Sequence, residues 1–184
     1  LGSLALSGAT LYGMTNGGGA QYRGAVFKMD TGGAALPVLH SFGSVTDAGQ
    51  YPTYGHLSIS SSGCDLYGMT PRGGANDTGA IFSVNVATPL ALTSSSGTSF
   101  SVGKPGSFTV TTTGAPAPAV EATGKLPKGV TFVDNRNGTA TLAGTPAAGT
   151  GGTYPLAIKA SNGCSPEAEQ GFTLSVTPAE RTTL

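Results

Sequence analysis

Apolar residues recur at every second position in short runs along the first half of the chain, and small or turn-forming residues separate the runs. Leu4–Leu6, Leu11–Thr15, Ala25–Met29 and Leu36–Phe42 are four such runs. Period-two alternation bounded by turn residues predicts strands. Ser7-Gly8, Gly17-Gly18-Gly19 and Asp30-Thr31-Gly32-Gly33 stand between the runs, and glycine supplies the positive φ that tight turns need. Residues 43–55 read as a polar loop, and a second set of runs extends from Leu57 to Val86. The two sets are one pattern written twice. Leu11-Tyr12-Gly13-Met14-Thr15, Gly18-Gly19 and Gly24-Ala25-Val26-Phe27 return as Leu66-Tyr67-Gly68-Met69-Thr70, Gly73-Gly74 and Gly79-Ala80-Ile81-Phe82, each element 55 residues later. A period of this length, with three or four strands of about five residues per copy, predicts propeller-blade-like antiparallel repeats over residues 1–88.

From Thr88-Pro89 the pattern changes. Leu90 to Gly97 reads as a Ser/Thr-rich lead-in, followed by alternating runs at Phe100–Val102, Ser107–Thr111, Thr131–Val133, Ala140–Leu142, Leu156–Ala160 and Phe172–Val176. Several short strands at regular spacing predict an immunoglobulin-like β-sandwich over residues 89–178, with 179–184 as a C-terminal tail or linker. Asn137-Gly138, placed between Val133 and Leu142, predicts a two-residue type I′ hairpin. The fold class expected for the whole is all-β.

Composition narrows the functional classes. The chain has 184 residues, 10% of them charged, with 9 basic side chains against 9 acidic. Such a balance offers no field to draw nucleic acid or an anionic membrane. With 38% hydrophobic residues the chain has material for a core, unlike a disordered segment. The 30 Gly and 12 Pro fit many turns. No apolar run approaches the roughly 20 residues needed to span a bilayer. The first residue is Leu1 and no signal-peptide pattern follows, so the chain is expected to be a mature or excised piece of something longer. A surface poor in charge and rich in Ser and Thr points to a secreted or cell-surface protein.

Both halves resemble known families. Leu39-His40-Ser41-Phe42, Asp47, Pro52, Gly55-His56-Leu57, Gly63, Leu66–Thr70, Gly73-Gly74 and Gly79–Phe82 resemble the bacterial tandem repeat called choice-of-anchor or Gloeo/Verruco. That resemblance implies a secreted or surface-attached β-array and supplies no ligand or catalytic residue. Phe100–Gly103, Gly106–Val110, Leu126–Phe132, Asp134–Leu142, Gly144-Thr145-Pro146, Gly151–Tyr154, Ala160–Gly163 and Phe172–Val176 resemble the bacterial Putative Ig domain, related to cadherin-like modules. It implies a spacer, stalk or adhesion unit with no shared active site. Cys64 and Cys164 both depart from these patterns, which suggests one cause: a disulfide, within the chain or between neighbouring subunits, suited to an oxidising compartment. The other reading is two unrelated small buried thiols.

The sequence holds no catalytic constellation, so no enzymatic activity is expected. No Gly-x-Ser-x-Gly spacing occurs. Gly97 to Lys104 is one residue too long for a phosphate loop, and Pro105 stands where Ser or Thr is required. Tyr22 replaces the last glycine of a dinucleotide fingerprint begun at Gly17. His40 and His56 are too few for a zinc site, and His40 reads as structural. Asp30, Asp47, Asp65, Asp77 and Asp134 lie in turn contexts, where Asx side chains satisfy local backbone. A calcium site around Asp47 would need six or more oxygens that the sequence does not assemble. Neither metal nor cofactor is expected. Tyr12 and Tyr67 occupy equivalent repeat positions and read as packing residues. Tyr22, Tyr51 and Tyr54 are not repeated and fall in loops, which makes them the candidate platform for a cell-surface glycan.

The expected function is a non-catalytic surface protein that assembles with copies of itself, as a filament or array. Antiparallel blades need about four to close a ring, and fewer than two are present. Open strand edges carry unpaired N–H and C=O groups that invite another strand. The alternatives are an adhesin or carbohydrate-binding module, and a stalk or accessory module of a larger exported protein.

Overall fold

The computed structural model describes residues 4–33, 37–43, 49–53 and 55–179. It divides into two compact units, with the boundary between Ala87 and Thr88. All the regular structure among the described residues is β.

The first unit holds both repeats. In the first, β1 (Ala5–Ser7), β2 (Thr10–Thr15), β3 (Ala25–Asp30) and β4 (Val38–Ser41) form one antiparallel sheet in chain order. Leu36, placed in the fourth run by the sequence, lies outside the described residues. In the second repeat, β6 (Ser58–Ile59), β7 (Asp65–Thr70) and β9 (Ala80–Asn85) form a three-stranded sheet in the same order. The expected polar loop at 43–55 contains a short strand, β5 (Gly49–Gln50), which pairs with β8 (Arg72–Gly73). Equivalent strands keep equivalent register: Gly13 faces Phe27 as Gly68 faces Phe82. The connecting loops also repeat. Gly24 N–H donates to Gly18 C=O at 3.1 Å, and Gly79 N–H to Gly73 C=O at 3.0 Å. Gly24 and Gly79 have φ of 102° and 101°, a conformation that costs other residues dearly.

The core of this unit lies between the two sheets. Tyr12, Val26 and Phe42 from the first repeat and Leu57 and Leu66 from the second are buried in one cluster. The rings of Phe42 and Phe82 meet edge to face with centroids 4.9 Å apart. Tyr12 is a packing residue. Its repeat equivalent is not: Tyr67 is 46% exposed, because among the described residues nothing stacks on the matching face of the second sheet as the second repeat stacks on Tyr12.

The second unit is a sandwich of two four-stranded sheets. Its strands are β10 (Thr88–Leu92), β11 (Gly97–Ser101), β12 (Gly106–Ala115), β13 (Ala119–Gly124), β14 (Val130–Asp134), β15 (Thr139–Gly144), β16 (Gly152–Ser161) and β17 (Ala168–Thr177). One sheet has the order β10-β12-β15-β14 and the other β11-β17-β16-β13. With β10 and β11 as the two halves of a first strand, these are the ABED and CFG sheets of an immunoglobulin fold. The second half-strand crosses over to run parallel to β17. Val110, Leu142, Ile158, Phe172 and Leu174 fill the space between the sheets.

Three features of this unit differ from the sequence reading. The lead-in at 90–97 is partly strand: β10 takes Pro89 because it is an edge, where a missing N–H costs no ladder bond. The Ala119–Gly124 stretch, short of β-branched residues, is nevertheless a strand, held by six register partners on β16. The hairpin between β14 and β15 exists, but its turn is not type I′. That type needs positive φ at both central residues, and here Arg136 (60°) and Gly138 (81°) carry it. Side chains set the wider loop: Asp134 Oδ1 accepts from Arg136 N–H at 2.9 Å, and Asn137 Oδ1 from Thr139 N–H at 3.1 Å.

Candidate functional site

The tyrosines proposed as a ligand platform fall in two loops that the backbone ties together. Tyr22 sits in the β2–β3 loop with φ of 57°, its N–H bonded to Gly19 C=O at 3.3 Å. The loop turns outward there, and Tyr22 is 82% exposed. Tyr51 directly follows β5, also with positive φ, and its N–H donates to Arg23 C=O at 2.8 Å. That bond places Tyr51 beside the residue next to Tyr22. Tyr54 lies outside the described residues.

The unusual backbone at Tyr22 is a repeat feature that residue identity hides. Its equivalent in the second copy is Asp77, with φ of 53° and the same bond to the glycine three residues earlier. Asp77 Oδ1 accepts from Gly73 N–H at 2.8 Å, a local Asx cap. The first copy carries a bare aromatic ring at that point in place of the capping carboxylate.

Asp65 and His40 are engaged locally. Asp65 Oδ1 accepts from Asn85 Nδ2 at 2.9 Å, and the His40 ring meets Phe42 edge to face at 4.9 Å. Asp47 lies outside the described residues. Among the described residues no three His, Cys, Asp or Glu side chains converge as a metal would require. Burial raises the Tyr12 hydroxyl above its ordinary pKa of 10.0 by desolvation.

Neither cysteine is a free thiol; Cys64 and Cys164 are both disulfide-bonded. Cys64 is buried after the turn at Ser60–Gly63, and its C=O accepts from Val86 N–H at 2.8 Å. Cys164 lies in the β16–β17 turn, where its N–H donates to Asn162 Oδ1 at 3.0 Å.

The sandwich carries a marker of its class. Tyr154, near the start of β16, donates its hydroxyl to Thr150 C=O at 2.8 Å. A tyrosine in this place, bonded to the backbone a few residues upstream, is the tyrosine corner of immunoglobulin-like sandwiches. Residues 81–177 match the family described as Putative Ig domain. The chain belongs to that family.

The Putative Ig domain match begins at Ile81, inside β9, and ends with β17. Among solved structures, the chain is similar to a protein described as a putative α-galactosidase/melibiase from Bacteroides fragilis, at 22% identity and TM-score 0.40, over 47% of this chain and 17% of that one. It is similar to titin domain M7 at 15% identity and TM-score 0.38, over 50% of this chain and 97% of that one. It is similar to the sialic-acid-binding region of a Streptococcus sanguinis adhesin at 14% identity and TM-score 0.40, over 72% of this chain and 41% of that one. No curated protein matches the sequence. Among the described residues no helix is long and apolar enough to cross a membrane.

Proposed function

We propose that the chain is a non-catalytic structural module of an extracellular or cell-surface protein, and that it assembles with copies of itself. The observation that carries this reading is the incomplete second repeat. In the first repeat β4 closes the sheet by pairing with β3. Among the described residues nothing pairs with the equivalent edge of β9. An edge of this kind presents free N–H and C=O groups, and addition of a strand from another molecule satisfies them. The paired cysteines suit an oxidising compartment, and the resemblance of residues 1–86 to the choice-of-anchor repeat points the same way. Light scattering of the purified full chain across a concentration series tests the reading. Mass rising with concentration is expected; one chain's mass throughout overturns it.

The adjacency of Tyr22 and Tyr51 favours a second reading, an adhesin or glycan-binding module. Aromatic rings at positive-φ positions in two tied loops, with Tyr22 turned outward, offer a stacking surface for a sugar ring. A glycan array on the full chain, repeated with Tyr22→Ala, tests it: binding that the substitution abolishes supports the platform, and an array without signal ends it. The third reading, an accessory stalk of a larger exported protein, rests on the immunoglobulin-like sandwich and family resemblance alone.

A further inference from the structure

The interface between the two repeats is built from two different faces. The first repeat contributes Tyr12 and Met14 from β2 and Val26 from β3. The second contributes the opposite kind of face: Leu66 and Gly68 from β7 and Phe82 from β9, with Leu57 beside them. Contact is close, as shown by the edge-to-face Phe42–Phe82 pair and by Met14 Cε, 2.9 Å from where a Cβ on Gly55 would stand.

Each repeat owns both faces, so each face recurs once on the outside. Tyr67, Met69 and Ile81 are the equivalents of Tyr12, Met14 and Val26, 55 residues on. Val26 is wholly buried, whereas Met69 is 60% and Ile81 77% exposed. On the far side, Leu11, Gly13 and Phe27 are the equivalents of Leu66, Gly68 and Phe82. Leu4 packs on Gly13 there as Leu57 packs on Gly68. Leu4 and Val38 are both largely exposed, and Val38 and Phe27 line an open groove of about 330 Å³. The two outer faces thus carry nearly the same side chains as the two halves of the buried interface. The central residues of both faces are uncharged, which disfavours an ionic partner and matches each face to the other.

We infer that the Tyr67–Met69–Ile81 face of one chain docks on the Leu4–Phe27–Val38 face of a second copy, repeating between molecules the contact that joins the two repeats within one. The inference rests on the self-association reading above and replaces edge pairing with face stacking as its main contact. Because the faces differ, the contact is head-to-tail, and such contacts propagate into a filament or close into a ring. The uncovered edge of β9 then borders the docked face and becomes a secondary contact.

The test uses the full chain and two exposed positions, Ile81→Asp and Val38→Asp, in sedimentation and light scattering. Thermal unfolding of each variant confirms that it is folded. Placing a carboxylate at the centre of a desolvated contact is expected to weaken association by about 30-fold or more. Each variant alone should be monomeric where the unmodified chain assembles. Mixed, the two should form one-to-one dimers and stop, since each retains the face the other has lost. Undiminished assembly of both variants overturns the face contact while leaving self-association standing through the β9 edge. Assembly of Val38→Asp alone, with Ile81→Asp monomeric, overturns head-to-tail order in favour of the Tyr67 face meeting itself. An unmodified chain that stays monomeric at every concentration overturns both the contact and the reading beneath it.

Discussion

The ring of Phe27 lies over the backbone of Gly13. A Cβ built on Gly13 would collide with Phe27 Cζ, and the second repeat reproduces this at Gly68 and Phe82. The paired residues face each other across adjacent strands, so the missing side chain of one makes room for the ring of the other. An aromatic ring laid over a strand glycine also shields the backbone that the glycine exposes. Gly68→Ala should destabilise the first unit by about 1–3 kcal/mol through overpacking. Adding Phe82→Leu should return part of that loss, because the two positions share one space. Urea unfolding of the single and double variants measures both; additive losses would mean that the ring and the glycine are not coupled.

Burial of Tyr12 predicts a stability loss at high pH. Its hydroxyl pKa is raised in the folded state by desolvation, so folding favours the protonated form. Stability from this group is complete below the unfolded pKa of about 10 and declines as pH rises above it. Denaturation midpoints should therefore fall more steeply above about pH 10 for the native sequence than for Tyr12→Phe. Parallel curves would exclude Tyr12 as the source.

The tyrosine corner predicts a loss confined to the sandwich. Tyr154→Phe keeps the ring and removes the bond to Thr150 C=O, leaving that carbonyl without this donor. A cost of about 0.5–1.5 kcal/mol is expected. It should appear in the unfolding of residues 88–179 and leave that of the repeat unit unchanged.

The disulfide predicts both a thiol count and a stability change. Denatured, unreduced protein should show no reactive thiol, and reduction should release two. Under non-reducing denaturing conditions the mass should be that of one chain, 18.1 kDa. Reduction should lower stability by about 2–4 kcal/mol, since the cross-link restricts the unfolded chain. A doubled mass without reductant would place the bond between subunits.

Much of the strand plan is legible in the residues because strands and turns depend on nearest neighbours. Period-two runs located the main repeat strands and six of the eight sandwich strands. The other two sandwich strands are held by partners distant in sequence: β13 by its ladder to β16, and β10 by its edge position beside β12. The turn at Asn137-Gly138 misled for a related reason. Asp134 and Asn137 cap the loop with their own side chains, and this outweighs the dipeptide's preference for the tighter turn. Tyr22 and Tyr51 read in the sequence as unrepeated loop residues, and both lie outside the strands. That their two loops are tied depends on a backbone bond from Tyr51 to Arg23, 28 positions apart in the chain.

By itself, the sequence determined the all-β class, the duplicated repeat and several turn glycines such as Gly8, Gly18 and Gly33, because alternation, copy spacing and turn chemistry are written locally. Only the tertiary structure decided which faces are covered. Tyr12 and Tyr67 have the same flanking residues and the same place in equivalent strands, yet one is buried and the other half exposed. Burial is set by what packs across from a residue. The first repeat has the second to cover it, and the second presents the same face with nothing described upon it.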